Sequence, residues 1–287
     1  MNDANPTHLD IALVQYCATT SIARNIALAA PLIRDAAATG ATLVCLPEVA
    51  NLMQRDRAAA LKEAQAEADE PALAAWRGLA VELGIWLHLG SLVVRLPDDA
   101  RFANRAFLID PAGKIRARYD KIHMFDVNLD DGEQIRESRG FRPGSNAVLV
   151  DMPWGGYGLS ICYDLRFPYL YRGLAQAGAD VLSVPAAFTR QTGEAHWHTL
   201  LRARAIENGC FVIAAAQCGD HEDGRRTFGH SLVVDPWGVV LADGGTEPGV
   251  TTARLDFSQV ARARDRVPSL QHDRAINLTR EKLYADR

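Results

Sequence analysis

The sequence lacks most of the features that would assign it to a specialised class. No apolar run among its 287 residues approaches the ~20 needed for a membrane-spanning helix, so no membrane partner is expected. There is no charge block, low-complexity tract or long Pro/Gly/Ser linker, and disordered, collagenous and coiled-coil classes are set aside. Lys and Arg number 31 against 35 Asp and Glu, a net charge of −4. That lacks the basic excess of a nucleic-acid-binding protein, so no nucleic-acid partner is expected. Residues 254–287 carry 8 basic and 5 acidic side chains, a mild excess that reads as solvated surface. Cysteines are few: Cys17, Cys45, Cys162, Cys210 and Cys218, an odd set without CxxC. They point to reduced thiols in the cytoplasm rather than a disulfide framework. Residues 1–10 have neither a basic n-region nor an apolar h-region, so no secretion signal is expected. Without HExxH or a Cys/His pair at zinc spacing, no metal is expected.

What is present is an ordinary globular composition, 48% apolar and 23% charged, with 22 Gly and 13 Pro. A chain of this length can bury roughly three quarters of its unfolded surface. Short apolar runs alternate with longer amphipathic ones. Strands are predicted at 11–15, 42–46, 85–94, 105–110, 147–151, 159–163, 181–186, 211–216 and 231–235. Helices are predicted at 22–38, 71–82, 169–177, 194–208 and 258–265, with Pro31 expected to kink or split the first. One unit occurs twice: a helix leading into "GATLVCLPE" at 40–48, and another into "GADVLSVPAA" at 178–187. Helix–strand alternation implies a buried sheet with crossovers. The helix-free stretch 85–121 requires that sheet to be mixed. The "GGYG" at 155–158 has the wrong spacing for a dinucleotide loop and reads as a hairpin turn.

Several residues could carry chemistry. Cys162 ends an apolar strand before a turn into a helix, where helical N–H groups favour thiolate; from position alone, nucleophile and buried small hydrophobe are equally open. The other four cysteines read as core. Glu48 closes "TLVCLPE" at the mouth of a sheet, where partial burial would raise its pKa towards that of a general base; a lone glutamate there would more often be solvated. Lys121 ends a strand and could hold an oxyanion, although most single lysines at strand ends are simply exposed. Glu137 lies in the long polar loop 126–145. His123 offers a papain-like alternative base for Cys162, but that pairing leaves Glu48 and Lys121 without a role. Phe188, Thr189 and Arg190 follow a strand end and, with His196 and Trp197, are candidate substrate contacts. His196 and His198 diverge by about 200° on a helix and cannot chelate one metal well. Arg202, Arg204, Asp164 and Arg166 read as scaffolding. "GHSLV" at 229–233 lacks the last glycine of a serine nucleophile elbow and reads as the start of a strand.

Together, "LPE", "YDKIHMFD" and "ICYDLRFP" in this order resemble the nitrilase superfamily of carbon–nitrogen hydrolases. "IALVQ", "TGEAHWHTLLRARAIENGCFVIAAAQCG" and "GHSLVVDPWG" extend the likeness over about residues 9–278. The resemblance implies an α/β fold, a four-layer α-β-β-α sandwich with mixed sheets. It implies a single domain over 1–287, with a core at about 9–256 and a C-terminal segment at about 257–287 packing at a subunit interface. It places the family's catalytic glutamate, lysine and cysteine on Glu48, Lys121 and Cys162. Glu137 becomes the supporting glutamate and the backbone N–H of Tyr163 an oxyanion donor. The implied reaction is amide hydrolysis through a cysteine thioester, with no cofactor and no metal, in a homodimer or higher homo-oligomer. The nearest branch contains deaminated glutathione amidase and ω-amidase; N-carbamoyl amidohydrolases and a silent scaffold of the same fold are the alternatives. Two departures, "VANLMQ" after "LPE" and Tyr169 where many relatives carry an acid, bear on the substrate.

Overall fold

A computed structural model describes residues 7–128 and 134–281, so the chain start, part of the polar loop and residues 282–287 lie outside the described residues. The first sheet is built from β1 (His8–Gln15), β2 (Leu43–Cys45), β3 (Trp86–Arg95), β4 (Phe102–Ile109) and β5 (Ile115–Asp120). A hairpin of β6 (Asp126–Asn128) and β7 (Gln134–Arg136) stands apart from it. The second sheet uses β8 (Val148–Met152), β9 (Gly155–Leu159), β10 (Ala179–Ser183) and β11 (Phe211–Ala214). After a short hairpin, β12 (Cys218–Asp220) and β13 (Arg226–Phe228), it is completed by β14 (Leu232–Val234) and β15 (Val240–Asp243). The last strand, β16 (Gly249–Asp256), returns to the first sheet.

The sheet orders are β16-β1-β2-β3-β4-β5 and β15-β14-β11-β10-β9-β8. In each, three central strands run parallel and the outer ones antiparallel. The repeated helix–strand–proline unit therefore marks two equivalent positions, β2 and β10.

Strand alternation turns Leu9, Ile11 and Leu13 towards one core and Ala12 and Val14 towards another. The first core joins both sheets, holding Ile11, Leu43 and Leu108 from one and Tyr157, Val181 and Ile213 from the other. It continues to helices on the far face of the second sheet. The other core sets the outer face of the first sheet against its own helices. The molecule is thus a four-layer α-β-β-α sandwich.

The helices are α1 (Ile22–Ala38), α2 (Arg57–Glu63), α3 (Pro71–Leu83), α4 (Pro168–Gln176), α5 (Arg190–Asn208) and α6 (Ser258–Arg266). Helix α1 buries Ile22, Ala29, Ile33 and Ala36, an apolar stripe at helical spacing. Pro31 does not split it. Pro31 and Ala27 are exposed, so water can satisfy the carbonyl that the proline leaves without a partner. Helix α3 has Pro71 at its first position and stops at Gly84, whose φ of +66° suits glycine.

One predicted strand is displaced. Residues 159–163 were expected to be extended, but the strand is Gly155–Leu159, and Cys162–Arg166 forms a 3-10 turn. The glycines that read as a hairpin turn are the strand itself, and the turn falls at Pro153 and Trp154. Close packing demands these glycines: a Cβ on Gly156 would lie 2.1 Å from the Gly178 carbonyl oxygen.

Gly90 shows the same constraint where the sheets meet. A Cβ there would lie 2.1 Å from Leu46 O and 2.5 Å from Pro185 Cβ. Gly90→Ala should destabilise the fold by about 1–3 kcal/mol, read by chemical denaturation. Gly173, inside α4 with open space around its Cβ position, should give the opposite sign. Gly173→Ala should stabilise by about 0.4–1 kcal/mol.

Candidate active site

Three chain segments present the main side chains. Glu48 follows β2 and Pro47, and its carbonyl accepts a 2.9 Å hydrogen bond from Gln217 Nε2. The next residue, Val49, has φ +46°, an unusual conformation for a β-branched residue, and its N–H donates to Ser91 Oγ at 2.8 Å. Lys121 lies just past β5, and its N–H donates to Asn104 O at 3.0 Å. Cys162 stands at a strand-to-helix turn with φ +49°, again left-handed for a residue with a side chain. Such a conformation costs ~1–3 kcal/mol and persists only where its surroundings fix it. Two groups fix it. The Cys162 N–H donates to Pro185 O at 2.9 Å. Asp164, fully buried, accepts from the Ile161 N–H at 2.8 Å, Tyr119 Oη at 2.7 Å and the His123 N–H at 3.0 Å.

The functional groups converge in space. Lys121 Nζ lies 2.8 Å from Glu48 Oε1 and 2.9 Å from each carboxylate oxygen of Glu137. Asn104 Nδ2 donates to Glu48 Oε1 at 2.9 Å and to Glu137 Oε1 at 3.3 Å, so one amide spaces both carboxylates. Glu48 Oε2 accepts from the Ala187 N–H at 2.7 Å. Glu137 Oε2 accepts from the Phe125 N–H at 2.6 Å. The Cys162 thiol stands beside Glu48, close enough for each to shift the other's titration.

Burial is the largest influence on Glu48, Lys121 and Cys162, and for the first two the neighbours reverse it. Burial works to raise the pKa of Glu48, yet the charge and hydrogen bond of Lys121, the Cys162 thiol and the Ala187 N–H together hold it below the ordinary carboxylate value. This corrects the expectation that burial would raise it. For Lys121, burial opposes the charge, but Glu137, Glu48 and Cys162 outweigh it and the pKa lies well above that of a free lysine. Burial, then the negative charge of Glu48, push the Cys162 thiol well above its ordinary value, with Lys121 pulling the other way. The resting site is therefore carboxylate, ammonium and neutral thiol.

These groups form the floor of a cavity of about 1360 Å³. Tyr163, Phe188, Thr189 and Arg190 line it with the triad, as does the segment after Glu48 through Val49, Leu52 and Gln54. His196 and Trp197 do not, which corrects their expected role. The rotation of α5 sends His196 to solvent and buries Trp197 against Phe188, ring centroids 4.9 Å apart. Only the first turn of that helix, Arg190 to Glu194, reaches the cavity. His123 is tied elsewhere: Nδ1 to Asp164 Oδ1 at 2.7 Å and Nε2 to the Tyr169 hydroxyl. That geometry favours Glu48 over His123 as the partner of Cys162. Arg204 grips Leu165 O at 3.0 and 2.7 Å, and Arg202 Nε donates to Gly238 O at 2.8 Å. Arg166 lies over the Phe188 ring at 5.3 Å. Asn104 and Ala187 escaped the sequence reading. Asn104 carried one signal, a polar amide inside the apolar strand "RFANRAFLID" that burial would penalise without partners.

The family described as carbon–nitrogen hydrolase matches residues 10–265, and the chain belongs to it. A relative from Synechocystis sp., deaminated glutathione amidase, is 43% identical over 265 residues, covering 91% of this chain and 96% of that protein. The crystal structure of the C. elegans NitFhit protein matches with a TM-score of 0.87 at 38% identity, over 94% of this chain and 66% of that one. An amidase mutant from Nesterenkonia sp. matches at 28% identity and a TM-score of 0.77, over 94% and 98% of the two chains. It carries the acetamide moiety of fluoroacetamide covalently added at its active-site cysteine.

The ion cluster gives a pH-dependent prediction. Lys121→Met leaves Glu48 and Glu137 buried without their cation and should cost about 3–5 kcal/mol at neutral pH. The pKa of buried Glu48 then rises above its unfolded value, so the folded variant binds more protons than the unfolded chain and its stability falls as pH rises. Denaturation at pH 5 and pH 7 should show the deficit relative to wild type shrinking at the lower pH. An equal deficit at both would contradict the charge assignment.

Proposed function

From membership of the carbon–nitrogen hydrolase family, we propose that this enzyme is an amidase that opens a small dicarboxylated amide through a thioester on Cys162, with deaminated glutathione as substrate. The carrying observation is the charge of the cavity. Its described lining includes Arg55, Arg57, Arg136, Arg139, Arg190, Arg225, Arg226 and Lys121 against Glu48, Glu137 and Glu194, in a chain whose net charge is −4. A cationic basin in an acidic protein suits an anionic substrate, and arginine can grip a carboxylate through two parallel hydrogen bonds. Deaminated glutathione, the 2-oxoglutaryl derivative of Cys-Gly, has a carboxylate at each end and the scissile amide between them.

In this reading the Glu48 carboxylate takes the Sγ proton as the sulfur attacks the amide carbonyl carbon. Lys121 Nζ and the Tyr163 N–H receive the developing oxyanion. Glu48 passes its proton to the leaving nitrogen as the C–N bond breaks, freeing Cys-Gly. It then takes a proton from water, whose oxygen attacks the thioester, and returns a proton to sulfur as 2-oxoglutarate leaves. At rest Glu48 is a carboxylate ready to take a proton, and once protonated it is an acid beside the leaving amine. Asn104 and Glu137 hold Glu48 and Lys121 in place.

The chain is read as one catalytic unit that pairs with a second copy. Its C-terminal segment is tied to α4, where Gln176 Nε2 donates to Asp273 at 2.6 Å. Beyond that tie, Ile276 and Leu278 are more than nine-tenths exposed, apolar surface that a partner subunit would cover. The five cysteines are free thiols, in keeping with a cytoplasmic setting.

Deaminated glutathione should give a higher kcat/KM than 2-oxoglutaramate or an N-carbamoyl amino acid in a side-by-side assay. Preference for either of the others would reassign the substrate. Cys162→Ala should lower kcat on the order of 10⁴-fold or more, and full activity would exclude the thioester. Arg139→Gln and Arg226→Gln should raise KM more than they lower kcat. Light scattering at micromolar concentration should show a dimer or larger species.

A further inference from the structure

Behind the cavity wall, three elements bring two imidazoles and a carboxylate together. His198 lies on α5, His230 in the turn before β14 and Asp243 at the end of β15. His198 Nε2 is 2.9 Å from Asp243 Oδ2, and His230 Nδ1 is 2.8 Å from Asp243 Oδ1. One ligand atom from each lies within 4.8 Å of the others. We propose that His198, His230 and Asp243 form a binding site for a divalent transition metal of the zinc type, separate from the amidase centre.

Three observations support this. The donor set is right: two imidazole nitrogens with one carboxylate suit zinc and its neighbours and leave a position for water. The frame is held in place. His230 has φ +54°, its N–H donates to Gly245 O at 2.6 Å, and its carbonyl accepts from Trp197 Nε1 at 2.8 Å. Phe228 stacks on the His230 ring with centroids 4.4 Å apart, and the Gly245 N–H donates to Asp243 Oδ1 at 2.9 Å. The site is also reachable, with the three side chains 23–38% exposed. Bonds of ~2.0–2.1 Å place tetrahedral ligand atoms ~3.3 Å apart, so the exposed rings need to close by at most about 1.5 Å.

Both rings and the Gly245 N–H hydrogen-bond the Asp243 carboxylate. Each ring places an N–H against one oxygen of that carboxylate. Metal binding exchanges two N–H···O bonds for two metal–nitrogen bonds. The proton of each ring moves through solvent to its outward nitrogen, His198 Nδ1 and His230 Nε2, and no electron is transferred. The metal would pin α5 to the β14–β15 hairpin. Trp197, whose indole holds the His230 carbonyl, packs on Phe188 in the cavity wall, so the clamp lies two side chains from the substrate.

The test is calorimetric titration of the metal-free protein with zinc chloride, in the wild type and in Cys162→Ala, which removes the competing catalytic thiol. About one equivalent should bind in both and raise the unfolding temperature. Affinity should fall about tenfold or more in His198→Gln and in Asp243→Asn. It should be unchanged in His196→Gln, an exposed histidine on the same helix but outside the cluster. Cobalt(II) should show a ligand-field spectrum without a sulfur charge-transfer band. No zinc binding, equal binding in His198→Gln and Asp243→Asn, or a dominant sulfur band would each overturn the proposal. These readouts do not involve amide hydrolysis, so they stand apart from the substrate assignment.

Discussion

A buried ammonium organises the site. Lys121 is 2% exposed, and charge at that depth is tolerable only where opposite charge and hydrogen bonds replace water. Glu48 and Glu137 provide both, and Asn104 spaces them. With the thiol neutral, the cluster carries one net negative charge. Ionising Cys162 alone would add a second in the same dry space, which is why its pKa lies high. Moving the thiol proton to Glu48 leaves the total unchanged. The cluster therefore resists losing a proton to solvent while permitting its transfer from sulfur to carboxylate, the internal step a thioester mechanism needs.

The fold holds this cluster by repeating one device. Strands β2 and β10 run into Pro47 and Pro185 at equivalent places in the two sheets. Gly90 is the point where those turns approach too closely for any side chain. From the first turn comes Glu48. The second supplies Pro185 O to Cys162 and the Ala187 N–H to Glu48. Gln217 ties the halves together, with Nε2 on Glu48 O and Oε1 accepting from the Ala18 N–H at 3.0 Å. The cluster thus forms where two sheets meet: Glu48 takes a hydrogen bond from the second sheet's turn, and Asp164, beside Cys162, takes one from Tyr119 of the first.

The layered fold was legible because long amphipathic helices and Val/Leu-rich strands show their periods directly; α1 begins and ends where its apolar stripe does. The proposed triad stands out in the sequence because Glu48 and Cys162 lie at the ends of apolar runs, Lys121 ends an alternating strand pattern, and their flanking words resemble a family. Strand β9 was hidden because packing against Gly178 and Leu174 selects glycine, which carries no hydrophobic signal. The direction of the Glu48 shift was hidden because burial alone points upwards, and only the position of Lys121 reverses it. Asn104 and the Ala187 N–H were hidden because an amide and a peptide group acquire meaning only from what faces them. His198, His230 and Asp243 were missed because the eye falls on the HWH spacing, whereas their proximity is created by three elements folding together.

Chemistry and selectivity are carried by different parts of the molecule. The reacting groups stand at strand ends inside the sandwich, where a displacement would disturb both sheets. The arginines around them come from the segment leading into α2, the region after β7, the first turn of α5 and the β12–β13 hairpin. Three of these segments stand clear of the ion cluster, whereas the region after β7 also carries Glu137, so Arg136 and Arg139 flank a cluster member. In the proposed reading, such a division would let one sandwich hydrolyse many amides, since the triad asks only for a carbonyl while the rim selects the anion that brings it there. On that reading substrate is harder to read than reaction class because the reaction rests on a few side chains at the junction of the sheets, and the substrate on a charge pattern assembled from four segments.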